Sequence, residues 1–160
     1  SPSTSRPSSA AARRPRADPV LYYEDLPQGF VLAVEASYLI TEDEIREVAE
    51  RWGTPFDAAD PVAPPLLMVA MMSAIEGRRP TQDRVAAVSA LGFERLDLHV
   101  PVRPGDRITS WGEVMERRLS QSRPGIGVLS MEGGLRNQRD EVVFSSVSAL
   151  LVQCRPASDI

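Results

Sequence analysis

The stretch 66–75 constrains the fold more than any other part of the sequence. Leu66, Leu67, Met68, Val69, Met71, Met72 and Ile75 are apolar and point to nearly every side of a helix rather than to one stripe. Such a helix is buried on several sides, so the rest of the chain has to supply a surface that curves around it. The run is interrupted by Ser73 and falls far short of the roughly 18 residues that span a bilayer, which makes it a core helix and not a membrane segment. Pro64 and Pro65 suit its first turn, where missing N–H groups cost little, and Gly77 follows its end.

The second half of the chain supplies the wrapper. From Phe93 onward the hydrophobic period changes to two. Leu96, Leu98 and Val100 fall on one side of this run and Arg95, Asp97 and His99 on the other, so one face is expected to pack and the other to meet solvent. Pro104-Gly105 marks a tight turn, with proline presetting its φ and glycine accepting a left-handed conformation. Strands are predicted over 107–119, 126–136 and 141–153, the last two joined by Asn137-Gln138-Arg139-Asp140. A strand over 30–39 precedes a first helix that opens at Thr41, where the hydroxyl and Glu44, three residues on, form a capping box. Ile45, Val48, Ala49 and Trp52 recur at helical spacing, and Gly53 followed by Pro55 stops the helix. The order is strand, helix, buried helix, then a meander of strands. It predicts an α+β fold in which one curved antiparallel sheet wraps a long central apolar helix. Long open strand edges invite pairing, so dimerisation through the sheet is expected.

At 160 residues, 42% hydrophobic and 25% charged, the chain is sized and composed for one globular domain. A net charge of −4, with both signs interspersed, leaves no electrostatic footprint for nucleic acid. Cys154 is alone and makes no internal disulfide, so the cytoplasm is the default compartment. Residues 1–19 are rich in Ser, Pro, Ala and Arg, and that composition cannot bury enough surface to offset chain entropy. They are expected to form a disordered extension; the basic residues are not followed by the apolar stretch of a secretory signal. The folded domain is placed over 20–156, with a tail over 157–160.

Several local signatures occur in an order that resembles the MaoC-like enoyl-thioester hydratases and dehydratases, a branch of the hotdog superfamily. They are Tyr22-Tyr23-Glu24-Asp25-Leu26 with Gly29, Ile40-Thr41-Glu42-Asp43-Glu44-Ile45, Pro101-Val102-Arg103-Pro104-Gly105-Asp106 and Arg136-Asn137-Gln138. The resemblance covers essentially residues 20–155 and agrees with the physical reading at each point. It implies a single hotdog domain acting on an acyl thioester of coenzyme A or of a carrier protein, in a homodimer or in a heterodimer with a second hotdog chain.

Active members of that family use one Asp and one His in a loop after the first helix, reading approximately Asp-Pro-Gln-Pro-Phe-His. Hydration of an enoyl thioester needs a base for water, an acid for the α-carbon and N–H groups that polarise the carbonyl. The matching stretch here is Trp52-Gly53-Thr54-Pro55-Phe56-Asp57, one residue shorter. Gly53 stands at the Asp position and Asp57 at the His position, with Pro55-Phe56 as the anchor. His99 is the one histidine and lies on the polar side of its strand. At the start of the central helix, where active members commonly place His-Gly or Ser-Gly, this chain has Ala63-Pro64-Pro65, which resembles the non-catalytic halves of double-hotdog or heterodimeric hydratases. The resemblance thus implies a degenerate Asp/His pair, a substrate wall of Trp52, Phe56, Ala63, Pro65, Leu66, Leu67, Met68 and Met71, and Asp57 as the candidate acid or base.

Each sharp reading has a plainer counterpart. Asp57 next to Pro and Ala suits a loop or capping role as well as acid/base chemistry. Asp60 before Pro61 reads as a turn residue. Met68, Met71 and Met72 suit gap-filling in a core as well as an adaptable acyl pocket. Arg78, Arg79, Arg103 and Arg123 could grip a carrier's phosphates, or serve as solvated surface. One His and one Cys offer no metal-ligand spacing, and Gly125 and Gly127 enter a strand rather than a helix, so neither metal nor nucleotide cofactor is implied.

Overall fold

The computed structural model describes residues 21–79 and 84–157. The extension over 1–19 and the tail residues 158–160 lie outside the described residues. After a short 3₁₀ turn at Tyr23–Asp25 the chain forms β1 (Val31–Leu39), α1 (Glu42–Trp52), α2 (Pro65–Glu76), β2 (Ala87–Leu98), β3 (Arg107–Leu119), β4 (Ile126–Arg136) and β5 (Val142–Gln153). The five strands make one antiparallel sheet in the order β1-β3-β4-β5-β2. No helix among the described residues is long and apolar enough to cross a membrane.

The local chemistry explains the helix ends. Thr41 Oγ1 accepts from the Glu44 N–H at 3.3 Å while Glu44 Oε2 accepts from the Thr41 N–H at 3.0 Å, so two of the orphan donors of α1 are satisfied reciprocally. At the other end Gly53 takes the left-handed conformation, φ 66° and ψ 27°, which needs no Cβ, and Thr54 N–H closes on the Ala49 carbonyl at 3.2 Å. Pro65 opens α2, and Leu67 N–H donates to the Pro64 carbonyl at 2.9 Å.

Two apolar clusters hold the sheet. In the first, Leu67, Met68, Met71 and Ile75 of α2 pack against Val34, Ile108, Leu135 and Phe144. In the second, Tyr23 and Leu26 pack on Leu32, Val114, Leu129, Met131 and Val152. Gly127 of β4 belongs to this packing, because a Cβ there would stand inside the Tyr23 ring.

The sheet wraps α2 on one side only. The helix packs chiefly on β1, β3 and β4, and Leu66, Ala70, Ser73 and Ala74 remain exposed. β2 lies at the far edge, beyond β5, and is exposed along its whole length except at half-buried Asp97. Leu98 and Leu96 stand opposite Phe144 and Ser146 of β5, and Phe93 stands opposite Ser148. Directly opposed residues share a face, so all three apolar side chains lie on the α2 side of the sheet, Leu96 and Leu98 as the alternation predicted and Phe93 against it. The expected packing of that face is not met within this chain: Phe93, Leu96 and Leu98 are 44%, 47% and 56% exposed. The reason is strand order, which places β2 out of reach of α2. β2 also begins earlier than the expected Phe93, and its ladder shifts register three times, between Ala87 and Ser89, Ala90 and Gly92, and Phe93 and Arg95. These bulges put Phe93 and Leu96, three residues apart, on one face.

The opposite edge is treated differently. Arg79 Nη1 donates to the Ala33 carbonyl at 3.3 Å and Arg78 Nη1 to the Ser37 carbonyl at 3.1 Å, so side-chain donors occupy acceptors that β1 would otherwise offer to another strand.

Candidate functional site

The loop between α1 and α2 and the first turn of α2 carry most of the residues singled out in the sequence. Trp52, the last residue of α1, is 62% exposed and shares with Leu67 a groove of about 250 Å³, also bounded by Glu44, Glu47, Val48 and Arg51. Phe56 is half-buried against the first core cluster, with the Arg46 guanidinium 5.2 Å from its ring centre. Ala63 is buried and its N–H donates to the Val102 carbonyl at 2.9 Å, which fixes the loop before α2 begins. Leu67, Met68 and Met71 are buried in the core, whereas Pro65 and Leu66 face outward. The fold therefore joins Phe56, Ala63, Leu67, Met68 and Met71 in one cluster and leaves Trp52 and Leu66 at its mouth.

The carboxylates of the loop are already engaged, whereas the buried Thr54 hydroxyl has no partner among the described residues. Asp57 is exposed, and its Oδ1 accepts from the Ala59 N–H at 2.9 Å, the geometry of an Asx turn. Asp60 pairs with Arg103 through Nε at 2.9 Å and Nη2 at 3.3 Å. That hydrogen bond, and then the guanidinium charge, hold the Asp60 carboxyl below the usual range. Gly53 offers no side chain. The donor left at the start of α2 is the Leu66 N–H, since Pro64 and Pro65 have none and Leu67 N–H is taken by Pro64. The helix dipole places partial positive charge at this point.

His99 lies apart from the loop, with Nε2 2.7 Å from Ser145 Oγ and its N–H on the Val143 carbonyl at 3.0 Å. Among the four arginines singled out, Arg103 reaches the loop. Arg79 is buried and paired with Glu76 at 2.6 Å, Arg78 lies over Tyr38 on β1, and Arg123 sits in the turn before β4 with its N–H on Ser120 Oγ. The described residues bring no group of three metal-ligating side chains together. Sequence reasoning missed the Asp60–Arg103 pair, whose partners are 43 residues apart and carry no local signal of each other.

No protein-family model matches the sequence, and no curated protein matches it. Solved structures do. A MaoC-like dehydratase from Rhodospirillum rubrum is 22% identical with a TM-score of 0.73, covering 85% of this chain and 99% of its own. RV0216 from Mycobacterium tuberculosis, described as having a double hotdog fold, is 18% identical with a TM-score of 0.66, and the match covers 86% of this chain and 45% of that one. The truncated HadBC (3R-hydroxyacyl-ACP dehydratase) complex from the same organism is 16% identical with a TM-score of 0.57, over 78% of this chain and 96% of that one. With its five-stranded antiparallel sheet packed on α2, the chain has the single hotdog fold seen in MaoC-like dehydratases.

Proposed function

We propose that this chain is a subunit of an acyl-thioester hydratase or dehydratase system, acting on an enoyl group carried by coenzyme A or a carrier protein, and that a second hotdog chain supplies the acid and base it lacks. The observation that carries the reading is the loop between α1 and α2 of a hotdog domain. Gly53 has no side chain to offer and the Asp57 carboxylate is tied into its own turn, at the two positions where the resembling family keeps its Asp and His.

The chain's own contribution would be to bind and orient. The Leu66 N–H, in the first turn of α2, would polarise a thioester carbonyl, and the apolar surface of Trp52, Phe56 and Leu67 would flank the acyl chain. Hydration then needs one group to take a proton from water and one to deliver a proton to the α-carbon, both from the partner. Three features support a hotdog partner: the exposed apolar face of β2, the uncovered flank of α2, and the double hotdog fold and the complex named for RV0216 and HadBC respectively. A silent acyl-thioester binder is the second reading, favoured by the same engaged carboxylates.

The test is turnover of a panel of trans-2-enoyl-CoA esters, followed as loss of enoyl-thioester absorbance, with the chain alone and mixed with a hotdog chain that keeps the Asp/His loop. The proposal expects no turnover alone and turnover by the pair that exceeds the partner's own. Binding without any gain in turnover assigns the silent role. Turnover by the chain alone that Asp57→Asn abolishes would replace the proposal with one in which Asp57 is the acid or base.

A further inference from the structure

Ser37 ends an irregular stretch of β1. The strand pairs with β3 through Val31, Leu32 and Ala33, shifts register, and pairs again from Ser37 onward. Bulged edges of this kind re-aim side chains. Here two arginines from different elements converge on one residue. Arg78, just past α2, places Nη1 3.1 Å from the Ser37 carbonyl, and Arg107, the first residue of β3, places Nη1 3.3 Å from Ser37 Oγ.

Neither guanidinium has a carboxylate partner among the described residues, whereas Arg79, Arg103, Arg136 and Arg139 each do. The Arg78 guanidinium lies 5.4 Å from the centre of the Tyr38 ring, which supports the planar cation. The Tyr38 hydroxyl itself is committed to Glu44. Two exposed, uncompensated guanidiniums, one on the Ser37 hydroxyl and one on its carbonyl, present more donors than a planar carboxylate can use. A phosphate, with three terminal oxygens, matches two guanidinium forks and a hydroxyl.

Arg78 also lines a groove of about 470 Å³ along the same edge, walled by Phe30, Val31, Leu32 and Val34. Glu35 is on that groove as well and disfavours a second anionic group within it. We propose that Arg78, Arg107 and Ser37 form a binding site for a phosphate monoester whose apolar part lies in this groove. The site is separate from the loop before α2 and does not depend on the reaction proposed above.

Calorimetric titration with phenyl phosphate, inorganic phosphate and phenol at constant ionic strength tests it. Phenyl phosphate should bind more tightly than inorganic phosphate, and phenol should not bind. Arg78→Gln and Arg107→Gln should each weaken phenyl phosphate by about tenfold, while Arg118→Gln, exposed near the far end of β3, leaves it unchanged. In the unmutated protein, the Nε resonances of Arg78 and Arg107 should move on addition of phenyl phosphate, a readout that survives if a variant fails to fold. Unchanged affinity in both variants, unmoved Nε resonances, or phenol binding as well as phenyl phosphate would overturn the proposal.

Discussion

The Tyr38 hydroxyl donates to the Glu44 carboxylate, the same group that closes the N-terminal cap of α1. One carboxylate thus joins β1 to α1, and the loop that follows α1 inherits its position from that joint. Burial works to raise the Glu44 carboxyl, but the hydrogen bonds from Tyr38 and from the Thr41 backbone and hydroxyl outweigh it and hold it below the usual range. The same bond, with burial and the carboxylate charge, raises the Tyr38 phenol.

Glu44→Gln keeps an acceptor oxygen but loses the charge, and should lower stability by about 1 kcal/mol through the weakened cap and tether. The folded carboxyl is depressed, so its contribution is present above the unfolded value of about 4.3 and is lost as pH falls through the lower folded value. Thermal melts of the two proteins should differ at neutral pH and converge in acid. A difference that persists undiminished below the carboxylate range would mean that the charge of Glu44 does not contribute.

Gly127→Ala should destabilise by about 2–3 kcal/mol, because the added methyl overlaps the Tyr23 ring in the second core cluster. Arg117, stacked 4.0 Å from the centre of that ring, would have to move with it. Urea unfolding gives the number, and a midpoint equal to the parent's would show that the N-terminal segment is not held where it lies.

Met71 is 1% exposed at the contact of α2 with the sheet. Truncation to Ala leaves a cavity that a close-packed core fills only in part, and should cost about 2–5 kcal/mol by chemical denaturation. Leu66→Ala, on the exposed flank of the same helix, should cost well under half as much in the isolated chain.

Phe93→Asp and Leu96→Asp place charge on the exposed face of β2, where neither side chain is packed within the chain. Both variants should keep the circular dichroism and near-parental melting of the fold while shifting sedimentation toward the monomer. Sedimentation identical to the parent's would remove this face from any association.

Much of the architecture was legible because it rests on short-range chemistry. The apolar run 66–75 was found as α2 (Pro65–Glu76), the Thr41 capping box opens α1, and the runs 107–119 and 126–136 are β3 and β4. The start of β2 at Ala87 was not, since three bulges break the period of two that marks a strand. The ties around the candidate site were not legible either: Asp60 to Arg103 and Arg78 to Ser37 join residues 43 and 41 positions apart.

Sequence by itself determined the element types, their order and the apolar side of the run 95–100, because periodicity and capping act over a few residues. Tertiary structure alone decided which of those faces are covered. Strand order β1-β3-β4-β5-β2 puts β2 beyond the reach of α2, so Leu96 and Leu98, apolar by pattern, stand exposed, and the same order lets Arg78 and Arg107 meet at Ser37 on the opposite edge. Burial and long-range pairing depend on where the chain returns to itself, and no local pattern carries that information.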